Sequence, residues 1–166
     1  MTKKLTLTAL LAAMALGIYV LEAQLPPLTA IPGVKLGLAN CMTLAALYLL
    51  GRREAAGVLA VRIVLAAAFS GQMLSFLFSL GGGIACFLVM ALLCRTFSER
   101  QIWIVSVFGA LAHNAGQLIV ASMVMRTPMG FAWAPHLVIA AVLAGTVTGL
   151  STQFAYLRIK NHVNRG

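Results

Sequence analysis

The sequence predicts an all-α integral membrane protein with six transmembrane helices and both termini in the cytoplasm, and three observations carry that class. Apolar residues make up 61% of the 166, and the mean hydropathy of +0.99 lies outside the range of soluble globular chains. A spanning helix consumes ~20 mostly apolar residues, so six would use ~120 and leave only short connections. Residues 1–166 therefore read as a single transmembrane domain. Finally, Lys and Arg number 12 against 3 acids. They gather at the ends of the apolar runs rather than on one polar face, a pattern of membrane topology and not of nucleic-acid binding.

The first helix is predicted over residues 5–24. Lys3 and Lys4 ahead of an apolar run resemble a signal peptide, but the run is long, and Leu21-Glu22-Ala23-Gln24-Leu25-Pro26-Pro27 stands where a small-x-small cleavage site would be. Pro26 and Pro27 end this helix by removing backbone donors. A loop through Pro32 and Gly33 leads to a second helix over residues 34–50, closed by Gly51-Arg52-Arg53-Glu54. From Ile63 to Cys94 the chain is uncharged and too long for one span, so it must turn between the third and fourth helices. Ser70-Gly71 and Gly81-Gly82-Gly83 are the candidate breaks. The fifth helix is predicted over residues 101–125, a loop over 126–135 with Thr127-Pro128 as breaker, and the sixth helix over 136–157.

Six spans put the termini and two alternate loops on one side, together with Lys3, Lys4, Arg52, Arg53, Arg95, Arg100, Arg158, Lys160 and Arg165. Lys35 and Arg126 fall on the other side. Cytoplasmic loops retain the excess of basic residues, which places both termini in the cytoplasm; five spans would put the cationic C-terminal tail outside.

The acids are Glu22, Glu54 and Glu99, with no aspartate anywhere. A magnesium-bridged diphosphate needs several oxygen ligands, normally from aspartate-rich clusters, so prenyl diphosphate synthesis by this chain alone is not expected. Nor is there a GxxxxGK[ST] loop to cradle nucleotide phosphates. No catalytic residues and no required cofactor are expected. Cys41, Cys86 and Cys94 are widely separated without a CxxC pair and read as packing residues. His113 and His136 lack the spacing of a metal site.

An ionisable side chain within a span costs at least ~2.5 kcal/mol on insertion scales and needs compensation. Arg62, in Val58-Leu59-Ala60-Val61-Arg62-Ile63-Val64-Leu65, has no acid within a helical turn of its own helix. Two roles fit it: satisfaction by backbone carbonyls or by Glu22 from another helix, or binding of an anion in a hydrated cavity, for which the planar guanidinium suits phosphate or carboxylate. Glu22 has three options, an ion pair with Lys35 or Arg62, or exposure to water. Gly109, His113 and Gln117 recur along one face of the fifth helix with Asn114 and Gly116 beside them. Such a polar stripe serves either interhelical hydrogen bonding or a ligand. Asn40 follows Lys35 and Gly37, and Gln72 and Ser75 lie beyond Arg62. Phe76, Phe78, Phe131 and Trp133 supply aromatic surface for core packing, interfacial anchoring or ligand stacking. On helix 1 the four-residue spacing of Ala9, Ala13 and Gly17 suits close helix contact, with internal packing preferred over docking of a partner.

The stretches Glu22-Ala23-Gln24-Leu25-Pro26-Pro27, Pro32-Gly33-Val34-Lys35-Leu36-Gly37-Leu38-Ala39-Asn40, Val61-Arg62-Ile63, Phe69-Ser70-Gly71, Ser75-Phe76-Leu77-Phe78-Ser79-Leu80-Gly81-Gly82 and His113-Asn114-Ala115-Gly116-Gln117-Leu118 resemble the bacterial Gx transporter family. That family is also labelled heptaprenyl diphosphate synthase component I, and its fold resembles the S components of energy-coupling factor vitamin transporters. The resemblance implies an S-component-like bundle in the bacterial cytoplasmic (inner) membrane that transports a small molecule. Members are associated with flavin supply to redox proteins outside the cytoplasm, so FMN or FAD is the implied ligand and membrane redox or flavin-transfer proteins the implied partners. Carried onto this sequence, the ligand region comprises Lys35, Asn40, Arg62, His113, Asn114 and Gln117, with Gln72 and Phe76 alongside and Glu22 in a structural or ligand ion pair. The alternatives are a non-catalytic membrane subunit of a prenyl diphosphate synthase, and an S component for uptake of another vitamin-like solute.

Overall fold

The computed structural model describes residues 2–24, 35–127 and 134–163. Among them the chain is all-helical: α1 (Thr2–Glu22), α2 (Asn40–Leu49), α3 (Arg52–Ser70), α4 (Met73–Leu93), α5 (Ile102–Met125) and α6 (Ala134–Val163), with a 3-10 turn at Glu99–Gln101 leading into α5. Pro26, Pro27, Pro32, Gly33, Pro128, Phe131, Trp133 and Arg165 lie outside the described residues.

Four helices, α1, α4, α5 and α6, are long and apolar enough to cross a bilayer. The protein is a multi-pass membrane protein. The third helix has 19 residues but begins on Arg52, Arg53 and Glu54 and carries Arg62 near its middle. The second departs most from expectation: it has ten residues, not the seventeen of residues 34–50. At 1.5 Å per residue it covers ~15 Å, half of a hydrocarbon core. Residues 35–39 are not helical, because Gly37 has φ 77° and its amide is drawn away to Glu22. Irregular backbone at membrane depth persists only when protein surrounds it, and α2 contacts all five other helices.

The break between α3 and α4 falls at Gly71, where φ is 62°, and the glycine triplet at 81–83 continues inside α4. Its lack of side chains lets neighbours approach from two sides. A methyl on Gly81 or Gly82 would run into Val120 or His113 of α5, and one on Gly83 would lie 3.1 Å from Leu59 and Ile63 of α3. The triplet is a packing surface and not a turn. Arg126, at φ 51°, ends α5 in the left-handed conformation.

One end of the bundle gathers the N-terminus of α1, the α2–α3 and α4–α5 connections and the C-terminus of α6. There Arg52 donates to the Ala91 carbonyl and Lys160 pairs with Glu99 at 2.5 Å. Tyr156 also donates to Glu99, at 2.7 Å, and packs edge-on against Tyr48. This basic end sits over an apolar core to which all six helices contribute, among them Leu11, Leu44, Val58, Met90, Val105 and Tyr156. Cys86 packs inside it, and Cys41, Cys86 and Cys94 are all free.

The packing expected of Ala9, Ala13 and Gly17 is not found. The buried stripe of α1 is Leu11, Ala12, Ala15, Tyr19 and Glu22, and the small residues face outward, with nothing within 4 Å of a methyl on Gly17. Spacing revealed a smooth face, but the position of Glu22 and Tyr19 decided which face turned inward. Conversely, Gly149 on α6 is a true contact point, since a methyl there would lie 2.6 Å from Ser106 Cβ and Trp103 Cα of α5. Gly149→Ala should therefore cost about 1–3 kcal/mol through overpacking. Gly17→Ala should be neutral or stabilising by up to ~1 kcal/mol through helix propensity. Thermal melting of both variants in one detergent checks the contrast, which equal shifts would contradict.

Candidate functional site

Opposite the basic end, the interior changes from apolar to polar. The change starts on α1, where Tyr19 and Glu22 share a face by their three-residue spacing and are both buried. Glu22 accepts hydrogen bonds from the backbone amides of Gly37 at 2.6 Å and Leu38 at 3.0 Å. Its carboxylate is thus taken up by amides. Among the described residues the one ion pair is Lys160–Glu99, so the ion pair expected of Glu22 with Lys35 or Arg62 does not form. Lys35 instead places Nζ 3.6 Å from the Tyr19 ring centroid, a cation–π contact. The Lys35 amide donates to Gln117 Oε1 at 3.3 Å, and the Tyr19 hydroxyl bonds Ser75 at 3.0 Å. The non-helical segment of residues 35–39 is in this way strapped across α1 and α5.

Beneath the strap, the His113 ring lies between two glycines. Methyls on Gly37 and Gly82 would come within 2.6 Å and 2.8 Å of it. Asn40 Nδ2 lies 3.1 Å from His113 Nδ1. In this placement the Asn40 carboxamide nitrogen is the donor and Nδ1 the acceptor. His113 Nε2 has no partner, and neither does Asn40 Oδ1. Asn114, the next residue on α5, donates to the Leu137 carbonyl of α6 at 2.9 Å and leaves its own Oδ1 unpartnered. A cavity of about 10 Å³ below, lined by Gly37, Asn40, Cys41, Ser106 and Thr148 among others, has room for about one water.

Arg62 is the most costly residue in the cluster. It is 2% exposed, and its Nε and Nη2 have no hydrogen-bond partner among the described residues. These two atoms form one edge of the guanidinium, the parallel pair of donors that holds a carboxylate or phosphate by two bonds. Glu22 and Tyr19 on α1, Cys41 on α2, Cys86 on α4 and His113 on α5 all lie within its electrostatic reach, but no carboxylate is in contact. Buried polar atoms are nearly always satisfied. Of the seven buried side-chain atoms without a partner among the described residues, five belong to Arg62, Asn40, His113 and Asn114, and the other two are the hydroxyls of Thr43 and Tyr48.

The structure therefore brings together Glu22, Lys35, Asn40, Arg62, His113 and Gln117, with Asn114 turned towards α6. The remaining expected site residues sit apart: Gln72 is exposed ahead of α4 and Phe76 is half-buried on that helix. Phe78 packs with Leu118, Ala121 and Leu137 as core. One member was not singled out from sequence, Tyr19, which bonds Ser75 and lies under Lys35. It stands three residues from Glu22, which was, so helical periodicity was the available signal. No group of three or more His, Cys, Asp or Glu able to hold a metal occurs among the described residues.

Fold and site together define a multi-pass helical membrane protein built around a buried, cationic polar cluster. A family model described as heptaprenyl diphosphate synthase component I matches residues 11–155. The chain belongs to that family, the one also called the Gx transporter family. No curated relative and no solved structure matches it.

Proposed function

We propose that this protein carries a flavin nucleotide, FMN or FAD, across the bacterial cytoplasmic membrane and supplies it to extracytoplasmic redox or flavin-transfer proteins. The observation that supports this best is the free Nε–Nη2 edge of Arg62, a buried donor pair with no carboxylate against it. That edge has the donor geometry with which arginine holds a phosphate, and Asn40, His113 and Asn114 leave open groups of the kind that the rim of an isoalloxazine hydrogen-bonds. The flavin in particular follows from the motifs shared with the Gx transporter family. The chain acts as a carrier and not as an enzyme, consistent with its lack of aspartate. Protein purified gently from its native membrane should be yellow, and mass spectrometry of the released chromophore identifies FMN or FAD. Well-folded protein that neither retains nor rebinds flavin would end this assignment and favour the alternative, a non-catalytic subunit of a prenyl diphosphate synthase.

In this reading six crossings are completed by α3 and by α2 with its strap, and the basic end faces the cytoplasm. A C-terminal tag should then resist an impermeant reagent added to intact cells and react after lysis; reaction in intact cells would invert the topology. A second reading, an S component for a vitamin-like solute docked on an ATP-driven module, draws support from the outward stripe of Ala9, Ala13 and Gly17. Co-purification of an ATPase that is lost in Ala13→Leu would favour it.

A further inference from the structure

The charges in the polar cluster do not balance. Lys35 and Arg62 bring two positive charges and Glu22 one negative, leaving +1 with His113 neutral. A dianion docked on the Arg62 edge would turn this surplus into −1 in a region that water does not screen. Glu22 is the group placed to absorb the difference. It is 6% exposed, within electrostatic reach of both Lys35 and Arg62, and in contact with neither cation's charge. The other two acids, Glu54 and Glu99, lie at the basic end. Further titratable groups facing this region are Tyr19 on α1, Cys41 on α2, Cys86 on α4 and His113 on α5. Tyr19 and the thiols are already neutral, and protonating His113 would add a second charge beside Arg62.

We infer that Glu22 takes up one proton from solvent when a dianionic ligand docks on Arg62, so that movement of the anion is coupled to a proton. This deepens the flavin-nucleotide reading and rests on the anion site within it. The proton adds to a Glu22 carboxylate oxygen and leaves on release of the anion, with no other bond made or broken. A neutral carboxyl holds the Gly37 and Leu38 amides less strongly than a carboxylate does. Protonation therefore also loosens the strap over the site, and anion binding and opening become one event.

The test measures affinities of purified protein for FMN and for sulfate, which remains a dianion across neutral pH, so that any proton taken up with sulfate belongs to the protein. Affinity for sulfate should rise by about tenfold per unit fall in pH between the bound-state and free-state midpoints of Glu22, and level off on either side. Glu22→Gln should bind both with no such slope. Because that variant could misfold, an infrared difference spectrum of wild type on adding sulfate provides a second readout. A protonated-carboxyl band is expected, and a histidine signal in its place would overturn the inference. Binding of either probe with no pH slope for sulfate, or with the slope kept in Glu22→Gln, would also overturn it. Sulfate binding with the slope but no FMN binding would uphold the coupling and remove the flavin reading. Failure of both probes to bind folded protein would remove both.

Discussion

Arg62→Met should raise thermal stability while weakening affinity for phosphorylated ligands. The two effects have one cause. A buried guanidinium edge without a partner pays desolvation in the empty protein, so a side chain of similar length with no charge should stabilise the fold, by about 1–4 kcal/mol on the scale seen when buried charged groups give way to apolar ones. Once an anion is bound, the same edge contributes a charge-assisted hydrogen bond worth ~1.5–3 kcal/mol, and its loss should weaken FMN and FAD by about one to two decades. Riboflavin, which lacks phosphate, should lose less. Thermal melting beside equilibrium binding of the three compounds separates this from a structural role for Arg62, which predicts falling stability and equal losses for all three.

Gly37→Ala should be the most damaging conservative change in the strap. At φ 77° a side chain is strained wherever it points, at ~1–2 kcal/mol. Here the added methyl would also lie 2.6 Å from His113 Cδ2 and 2.9 Å from Asn40 Nδ2. Overpacking of this kind costs a further ~1–3 kcal/mol, and relief requires the Asn40–His113 bond or the Glu22–Gly37 bond to break. The expected result is a loss of about 2–5 kcal/mol together with ligand binding. Gly51→Ala, at φ 107° but with only Glu54 Oε2 nearby at 3.6 Å, should lose the conformational part alone and keep ligand binding. If both variants melted alike and both bound ligand, the close packing of His113 against the strap would be of no consequence.

Composition and period determined the membrane class, the helical architecture and the inward polar stripe of Gly109, His113 and Gln117, because each is a local consequence of hydropathy or of 3.6-residue spacing, whereas the choice of Gly71 over the 81–83 triplet as the α3–α4 break was made by packing. The cost of Arg62 was legible for the same reason: a charge in an apolar run is visible without knowing its neighbours. What compensates that cost was not. Whether Glu22 would meet a cation or an amide depended on where residues 35–39 crossed α1, a contact between segments fifteen residues apart that no periodicity encodes. Tertiary structure alone shortened α2, since surrounding helices and the Glu22 carboxylate supply what lipid cannot to an unwound backbone. It also turned Ala9, Ala13 and Gly17 outward, because one face of α1 had to bury Tyr19 and Glu22, and burying a carboxylate against amides is far cheaper than leaving it in hydrocarbon.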